Sequence, residues 1–91
     1  SCNPHFSESS LVGLWLNINS DVWLHLQKNG KFDFGENTAI NSIGDWELDS
    51  ENSYLTLRFK NKSEKYKLDW DGIDLEFLDK KGKTVYLFKK E

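Results

Sequence analysis

The sequence predicts an all-β protein, specifically an eight-stranded antiparallel up-and-down barrel. After residue 10, apolar and polar residues alternate with a period of two over short segments, and no segment has the period of an amphipathic helix. Two of the breaks, Asn29-Gly30 and Asp71-Gly72, are two-residue hairpin signals. The breaks are too short for parallel crossovers, so successive strands are expected to pair antiparallel. A meander of eight strands then closes, because closure removes its exposed edges.

Each strand is bounded by turn-forming residues such as Gly, Asn, Asp and Ser. The polar stretch 35–42 is interpreted as the one long loop, residues 1–10 as an N-terminal tether, and residues 11–91 as the barrel domain. A barrel of eight short strands is just wide enough to be filled by side chains or to hold one small ligand. The predicted strands are Leu11–Asn19, Val22–Gln27, Lys31–Phe34, Ile43–Asp49, Ser53–Phe59, Glu64–Trp70, Ile73–Leu78 and Lys83–Lys89.

Composition limits the class of protein. A chain of 91 residues has room for one domain and one modest core, and its four Trp, six Phe and three Tyr can supply that core. The net charge of -3 and the alternation of Lys with Asp and Glu leave no basic stripe, so nucleic acid is not a predicted partner. No apolar run approaches the length of a membrane span.

Alternation along the strands predicts which side chains point into the barrel. Trp15 and Trp46 are expected to be core plugs, and Gly13 and Gly44 to mark places where a strand bends or a ring packs over the backbone. The interior candidates either fill the core or contact a hydrophobic ligand, and the sequence leaves both open. They are Trp15, Phe32, Phe34, Trp46, Tyr66 and Trp70.

The first and last strands are apolar on both faces, and Trp23 of the second strand likewise stands opposite apolar residues, Val22, Leu24 and Leu26. The first and last strands are neighbours in a closed meander, so their surplus apolar side chains would form one outer patch, which is typical of a docking or dimer face. Two alternatives stay open: the N-terminal segment with Phe6 folds over the patch, or a bulge reassigns the faces. The candidate interface residues are Leu14, Leu16, Ile18, Val85 and Leu87.

The sequence carries no recognisable catalytic or metal-binding motif. His25 and His5 are the two histidines, and a metal site needs more His or Cys ligands at suitable spacing. The aspartates recur at turns and on outward positions, and no nucleophile elbow is present. We therefore expect a protein that is not an enzyme and takes no metal or cofactor.

Cys2 is the single cysteine, and a short polar stretch separates it from the first predicted strand. This arrangement resembles the mature start of a bacterial lipoprotein, in which the N-terminal cysteine left by signal-peptide cleavage carries the lipid. The chain contains no Met, so either a leader was removed or the chain was trimmed. We expect Cys2 to be lipidated and the protein to be anchored in a bacterial cell envelope. The alternative is a truncated cytosolic protein with an incidental cysteine.

Three segments carry a resemblance to a family. Leu11–Trp15 has the L-x-G-x-W pattern that opens lipocalin-like domains, and Gly44–Leu48 has their central G-x-W-x-L pattern. Between them, Leu24 and Leu26 followed by 29–32 resemble the second hairpin of that family. The chain is thus similar, over about residues 11 to 78, to the small lipocalin-like lipoproteins of Bacteroidetes-type bacteria. The resemblance implies a calycin-type barrel and no particular activity.

Three functions are compatible with these features. The first is an interaction module on the envelope, anchored to the membrane only through lipid and binding a second copy or another protein through the outer patch. The second is a carrier of a small hydrophobic ligand inside the barrel, as the lipocalin resemblance implies. The third is a hydrolase inhibitor that presents the predicted loop 35–42.

Overall fold

The computed structural model describes residues 7–71 and 73–91, and it confirms the predicted fold class. One short helix precedes eight strands that form a single closed antiparallel barrel in sequence order. The elements are α1 (Glu8–Leu11), β1 (Gly13–Asn17), β2 (Val22–Leu26), β3 (Lys31–Glu36), β4 (Ala39–Asp49), β5 (Tyr54–Arg58), β6 (Ser63–Trp70), β7 (Asp74–Leu78) and β8 (Thr84–Lys90).

The barrel closes where the two ends of the described chain meet. β1 pairs antiparallel with β8, with Trp15 opposite Lys90 and Asn17 opposite Phe88. The amide of Ile18 extends this seam by donating to the Leu87 carbonyl at 2.9 Å. Every strand therefore has two neighbours, and the sheet has no free edge.

Most of the core consists of inward side chains predicted by the two-residue alternation, and Phe88 of β8, whose inward face the sequence left open, adds to it. β2, β5 and β7 each bury alternate residues, as expected for strands with one dry and one wet face. A helix residue, Leu11, joins the strand residues at one end of this core. The buried apolar residues are Leu11, Trp15, Leu24, Leu26, Phe32, Trp46, Leu55, Leu57, Leu68, Leu75, Phe77 and Phe88.

β4 is the longest strand and forms a corner of the barrel. Its first part pairs with β3 and its last part pairs with β5, and Asp45 takes part in both ladders. Gly44 lies at this exchange, and a Cβ atom there would stand 1.9 Å from the Arg58 carbonyl oxygen and 2.9 Å from the Phe32 ring. Only glycine allows this approach, which agrees with the expectation that Gly44 marks a bend under a ring.

The prediction of a long loop at 35–42 was wrong. β3 continues to Glu36 and β4 begins at Ala39, so a tight turn joins them. Asn37 in that turn has a φ of 57°, which asparagine tolerates better than most residues. The ladder register shifts after Phe34, and Asn41 is left between paired residues as a bulge.

The region before β1 also differs from the prediction, which began a strand at Leu11. Residues 8–11 instead form one helical turn, and Ser7 caps it: the Ser7 hydroxyl accepts from the Ser10 amide, and the Ser10 hydroxyl side chain accepts from the Ser7 amide. Ser7–Ser10, assigned to the tether from sequence, thus belong to a capped helix whose last residue enters the core. Of the two predicted hairpin glycines, Gly30 has the expected positive φ of 85°, and Gly72 lies outside the described residues.

Candidate functional site

The outward side chains of the first four strands form two lateral rows across the barrel wall. In the first row, Leu16 of β1 stands opposite Trp23 of β2, which stands opposite Gly35 of β3 and then Ile40 of β4. The same register builds the second row, which contains Leu14, His25, Asp33 and Ile43. We call the apolar members of both rows, together with Ile18, the outer strip; they are Leu14, Leu16, Ile18, Trp23, Ile40 and Ile43.

Much of the outer strip is open to solvent. Ile40 and Ile43 are 61% and 65% exposed, and Leu16 and Ile18 are 39% and 47% exposed. An open groove of about 380 Å³ runs along the strip and is lined by Leu14, Leu16, Trp23, His25, Asp33 and Asn37. Contiguous exposed apolar surface of this kind marks interaction sites in soluble domains.

The structure brings together part of the predicted interface and adds residues that the sequence analysis missed. Leu14 is half-buried on the wall, and Leu16 and Ile18 are exposed there. Val85 is 42% exposed on the neighbouring strand β8, where Leu87 is half-buried. The isoleucines of β4 were missed because 35–42 was interpreted as a loop, so no face was assigned to them. The register of the bulged β3–β4 hairpin, and not composition, puts Ile40 and Ile43 on the wall.

The ring of Trp23 is held in a fixed position in the first row of the outer strip. It lies over the Gly35 backbone, where an added Cβ would stand 2.5 Å from Cζ2 of the indole. The indole Nε1 donates to the Asn37 carbonyl at 2.8 Å, which fixes the ring against the β3–β4 turn. The ring is therefore a pre-positioned apolar surface, and a partner would lose little side-chain entropy on binding it.

A polar pair interrupts the apolar strip. His25 Nδ1 lies 3.7 Å from a carboxylate oxygen of Asp33, and Gln27 donates to the same oxygen at 3.1 Å. The His25 and Asp33 side chains are 43% and 27% exposed, so both can be reached from solvent. The strip thus presents an acid and a base side by side within apolar surroundings.

The predicted interior residues divide into a packed set and a partly open set. Trp15 and Phe32 are fully buried and Trp46 is 7% exposed, whereas Phe34, Tyr66 and Trp70 are half-buried. Trp15 packs edge to face on Trp70 at 5.5 Å, and Phe32 packs in the same way on Phe59 at 5.3 Å. These rings pack against other aromatic side chains. A role for them in binding a ligand stays a prediction.

A second aromatic cluster joins β3, β6, β7 and β8. Tyr86 contacts Phe34, Tyr66, Phe77 and Phe88, with ring centroids 5.3 to 6.2 Å apart. Burial raises the pKa of Tyr66 to about 12, with Tyr86 and Glu64 adding to the effect. Burial also raises the pKa of Tyr86. Both phenols keep their protons at physiological pH, as a phenol with the ordinary pKa of 10.0 also does, and act as packing groups there.

Cys2, His5 and Phe6 lie outside the described residues, so lipidation and the covering role of Phe6 stay predictions. Within residues 7–71 and 73–91, no group of three His, Cys, Asp or Glu side chains could hold a metal ion. The same part of the chain contains no helix that is long and apolar enough to cross a membrane.

Comparison with known proteins adds no assignment to this geometry. No protein-family model, no curated protein and no solved structure matches the chain.

Proposed function

We propose that the protein is a non-enzymatic binding module of a bacterial envelope, lipid-anchored through Cys2 and lipocalin-like in fold, whose outer strip docks on a second copy of the chain. The observation that carries the proposal is the row of exposed apolar side chains across four adjacent strands, with Ile40 and Ile43 more than half exposed. A small monomer gains nothing in folding from such side chains, whereas association removes their surface from water.

The polar pair favours a second copy as the occupant. A two-fold interface sets the same patch of both subunits face to face, so a residue that contacts a second residue is contacted by it in return. His25 and Asp33 lie 3.7 Å apart within the strip, and a two-fold axis between them would place the base of each copy near the acid of the other. This arrangement makes the strip complementary to itself in hydrogen-bonding groups as well as in apolarity.

The lipid anchor is compatible with this docking mode. α1 ties the N-terminal segment to one end of the barrel, since Leu11 is buried and the Lys90 ammonium donates to the Ser10 carbonyl at 3.2 Å. The outer strip lies on the side wall, across β1 to β4. A lipid on Cys2 would therefore hold the barrel by its end and leave the wall accessible.

Light scattering on residues 7–91 tests the docking mode, because this boundary keeps the cap of α1 that a cut after residue 10 would remove. We expect a dimer for the unaltered chain and a monomer for Leu16→Lys, which places a charge in the strip. The matched control is Ile73→Lys, an exposed isoleucine (73%) in the β6–β7 connection, and it should remain dimeric. A monomeric unaltered chain at all concentrations would refute docking on a second copy and leave the strip for another protein.

The anchor needs a separate measurement. The intact mass of the protein extracted from its native cells should exceed the polypeptide mass by a lipid modification that maps to Cys2. An unmodified Cys2 would refute the anchor without affecting the test of the strip.

A further inference from the structure

A cleft on the part of the barrel wall formed by β5, β6 and β7, on other strands than the outer strip, collects positive charge. It lies over β5, β6 and the end of β7, has a volume of about 280 Å³, and is lined by Tyr54, Lys65, Lys67, Leu78, Asp79 and Lys80. Register explains this assembly, because Tyr54 of β5 stands opposite Lys67 of β6, and Lys67 stands opposite Leu78 of β7. Lys80 follows directly in the β7–β8 turn.

Two of the ammonium groups share one aromatic ring. Lys65 Nζ lies 4.5 Å and Lys67 Nζ lies 4.9 Å from the centroid of the Tyr54 ring. The ring attracts each cation through its negative face, which holds two like charges closer together than they would otherwise stay. An anion placed between them would remove the remaining repulsion.

Acidic side chains offset only part of this charge, because three lysines line the cleft against one aspartate. Asp79 is the acid that lines the cleft, and its carboxylate accepts from the backbone amides of Lys81 at 2.8 Å and Lys83 at 3.0 Å. Among the ion pairs of the described residues, none involves Lys65, Lys67 or Lys80.

The neighbouring polar groups do not use up the hydrogen-bonding capacity of the lysines. The pKa of Asp49 is lowered mainly by hydrogen bonds from Asn52, and the charge of Lys65 makes the smallest contribution. The Asp49 carboxylate is thus satisfied by its own turn. Lys67 Nζ donates one of its three protons to the Asn52 carbonyl at 2.9 Å, which positions it and leaves two protons for a ligand.

We propose that this cleft binds the phosphate or sulfate group of a monoester, with Lys65, Lys67 and Lys80 around the anion and the Tyr54 ring and Leu78 against the attached organic group. Lysine suits such a ligand, because a compact point charge binds an oxyanion without the planar geometry that arginine requires. The site is independent of the outer strip and of the anchor on Cys2.

Titration calorimetry with phenyl phosphate, inorganic phosphate and phenol as probes tests the site. We expect phenyl phosphate to bind more tightly than inorganic phosphate and phenol not to bind. Binding should weaken at high salt, because exposed charges are screened. Lys65→Gln and Lys67→Gln should each weaken phenyl phosphate binding by about tenfold, which corresponds to ~1.4 kcal/mol.

Lys28→Gln is the matched control, since it removes an equal charge from the β2–β3 turn on another part of the barrel. Equal affinity for the control and the two cleft variants would overturn the proposal, because binding would then reflect net charge alone. Circular dichroism of each variant verifies that the barrel is folded. A failure of all three probes to bind would likewise overturn it.

Sedimentation with vesicles identifies the source of the phosphate. Binding to phosphatidic acid vesicles, whose headgroup is a phosphate monoester, but not to phosphatidylcholine vesicles, with loss in Lys65→Gln, would support the site with a lipid headgroup as its ligand. Binding of phenyl phosphate without vesicle binding would support the site with a soluble monoester as its ligand.

Discussion

The indole Nε1 of Trp15 donates a 2.8 Å hydrogen bond to the backbone carbonyl of Leu11, and both side chains are fully buried. This bond ties the single turn of α1 to the first strand. The ring of Trp15 is covered by the edge of Trp70 and by the ammonium of Lys90, both at 5.5 Å from its centre. The helix, the first strand and the last strand are therefore joined at one buried residue.

Replacing Trp15 with Phe should lower the free energy of unfolding by about 1–3 kcal/mol, because the buried carbonyl of Leu11 loses this donor. Urea denaturation measures the change. The control is Trp23→Phe, which removes an indole hydrogen bond of equal length, 2.8 Å, at an exposed site. We expect the control to cost about 0.5 kcal/mol. Equal losses would show that the tie between α1 and β1 contributes nothing of its own.

Leu11→Ala should destabilise the protein by about 2–5 kcal/mol, as expected for a fully buried leucine whose removal leaves a cavity. Ile73→Ala is the comparison at an apolar side chain that is 73% exposed and lies outside the outer strip, and it should cost about 0.5 kcal/mol. Thermal and urea unfolding both report the difference. A small effect at Leu11 would mean that α1 is dispensable and that the barrel domain begins at β1.

Gly44→Ala should destabilise the barrel by about 1–3 kcal/mol or more, since the new methyl group would overlap the Arg58 carbonyl and press on the Phe32 ring. Ser42→Ala, two residues earlier and half-buried on the same strand, adds no volume and serves as the control. Unchanged stability of Gly44→Ala would show that β4 can move away from β5 without cost.

Alkaline pH should destabilise the protein through Tyr66, whose pKa burial raises from 10.0 to about 12. Below pH 10 the hydroxyl is protonated in both the folded and the unfolded chain and adds no pH dependence. Between pH 10 and 12 the unfolded chain loses the proton while the folded chain keeps it, so the free energy of unfolding falls as pH rises. Urea unfolding across this range should show a steeper fall for the unaltered chain than for Tyr66→Phe. An equal fall in the free energy of unfolding for the two proteins would contradict the raised pKa of Tyr66.

The barrel could be predicted from sequence because its signal is repeated in every strand. Alternation identified the inward faces of β3, β5 and β7, and a slip of one residue would have exposed Phe32 or Phe77. Trp15 and Trp46 were expected to be core plugs, and both are buried. The additional role of Trp46, whose Nε1 donates to the Gln27 carbonyl at 2.9 Å, depends on a contact between distant parts of the chain and left no pattern to recognise.

Two features could not be predicted for physical reasons. A single helical turn such as α1 is too short to display a period, and its cap closes with Ser10 where the usual signature has Glu or Gln. The β3–β4 turn contains no glycine or proline, and the bulge at Asn41 breaks the alternation that would have revealed the strand. The outer strip was consequently predicted from β1 and β8 alone and lacked the isoleucines of β4.

The seam between β1 and β8 has a consequence for how the protein is made. β1 finds its second neighbour in residues 84–90, more than sixty positions further along the chain by its strand bounds. Until β8 is available, every intermediate sheet presents an unpaired edge that can join another chain. Folding therefore cannot finish during synthesis of the barrel, and pairings so distant in sequence form slowly. A chain that emerges from its N-terminus onward therefore closes this seam last, once residues 84–90 are free to pair with β1.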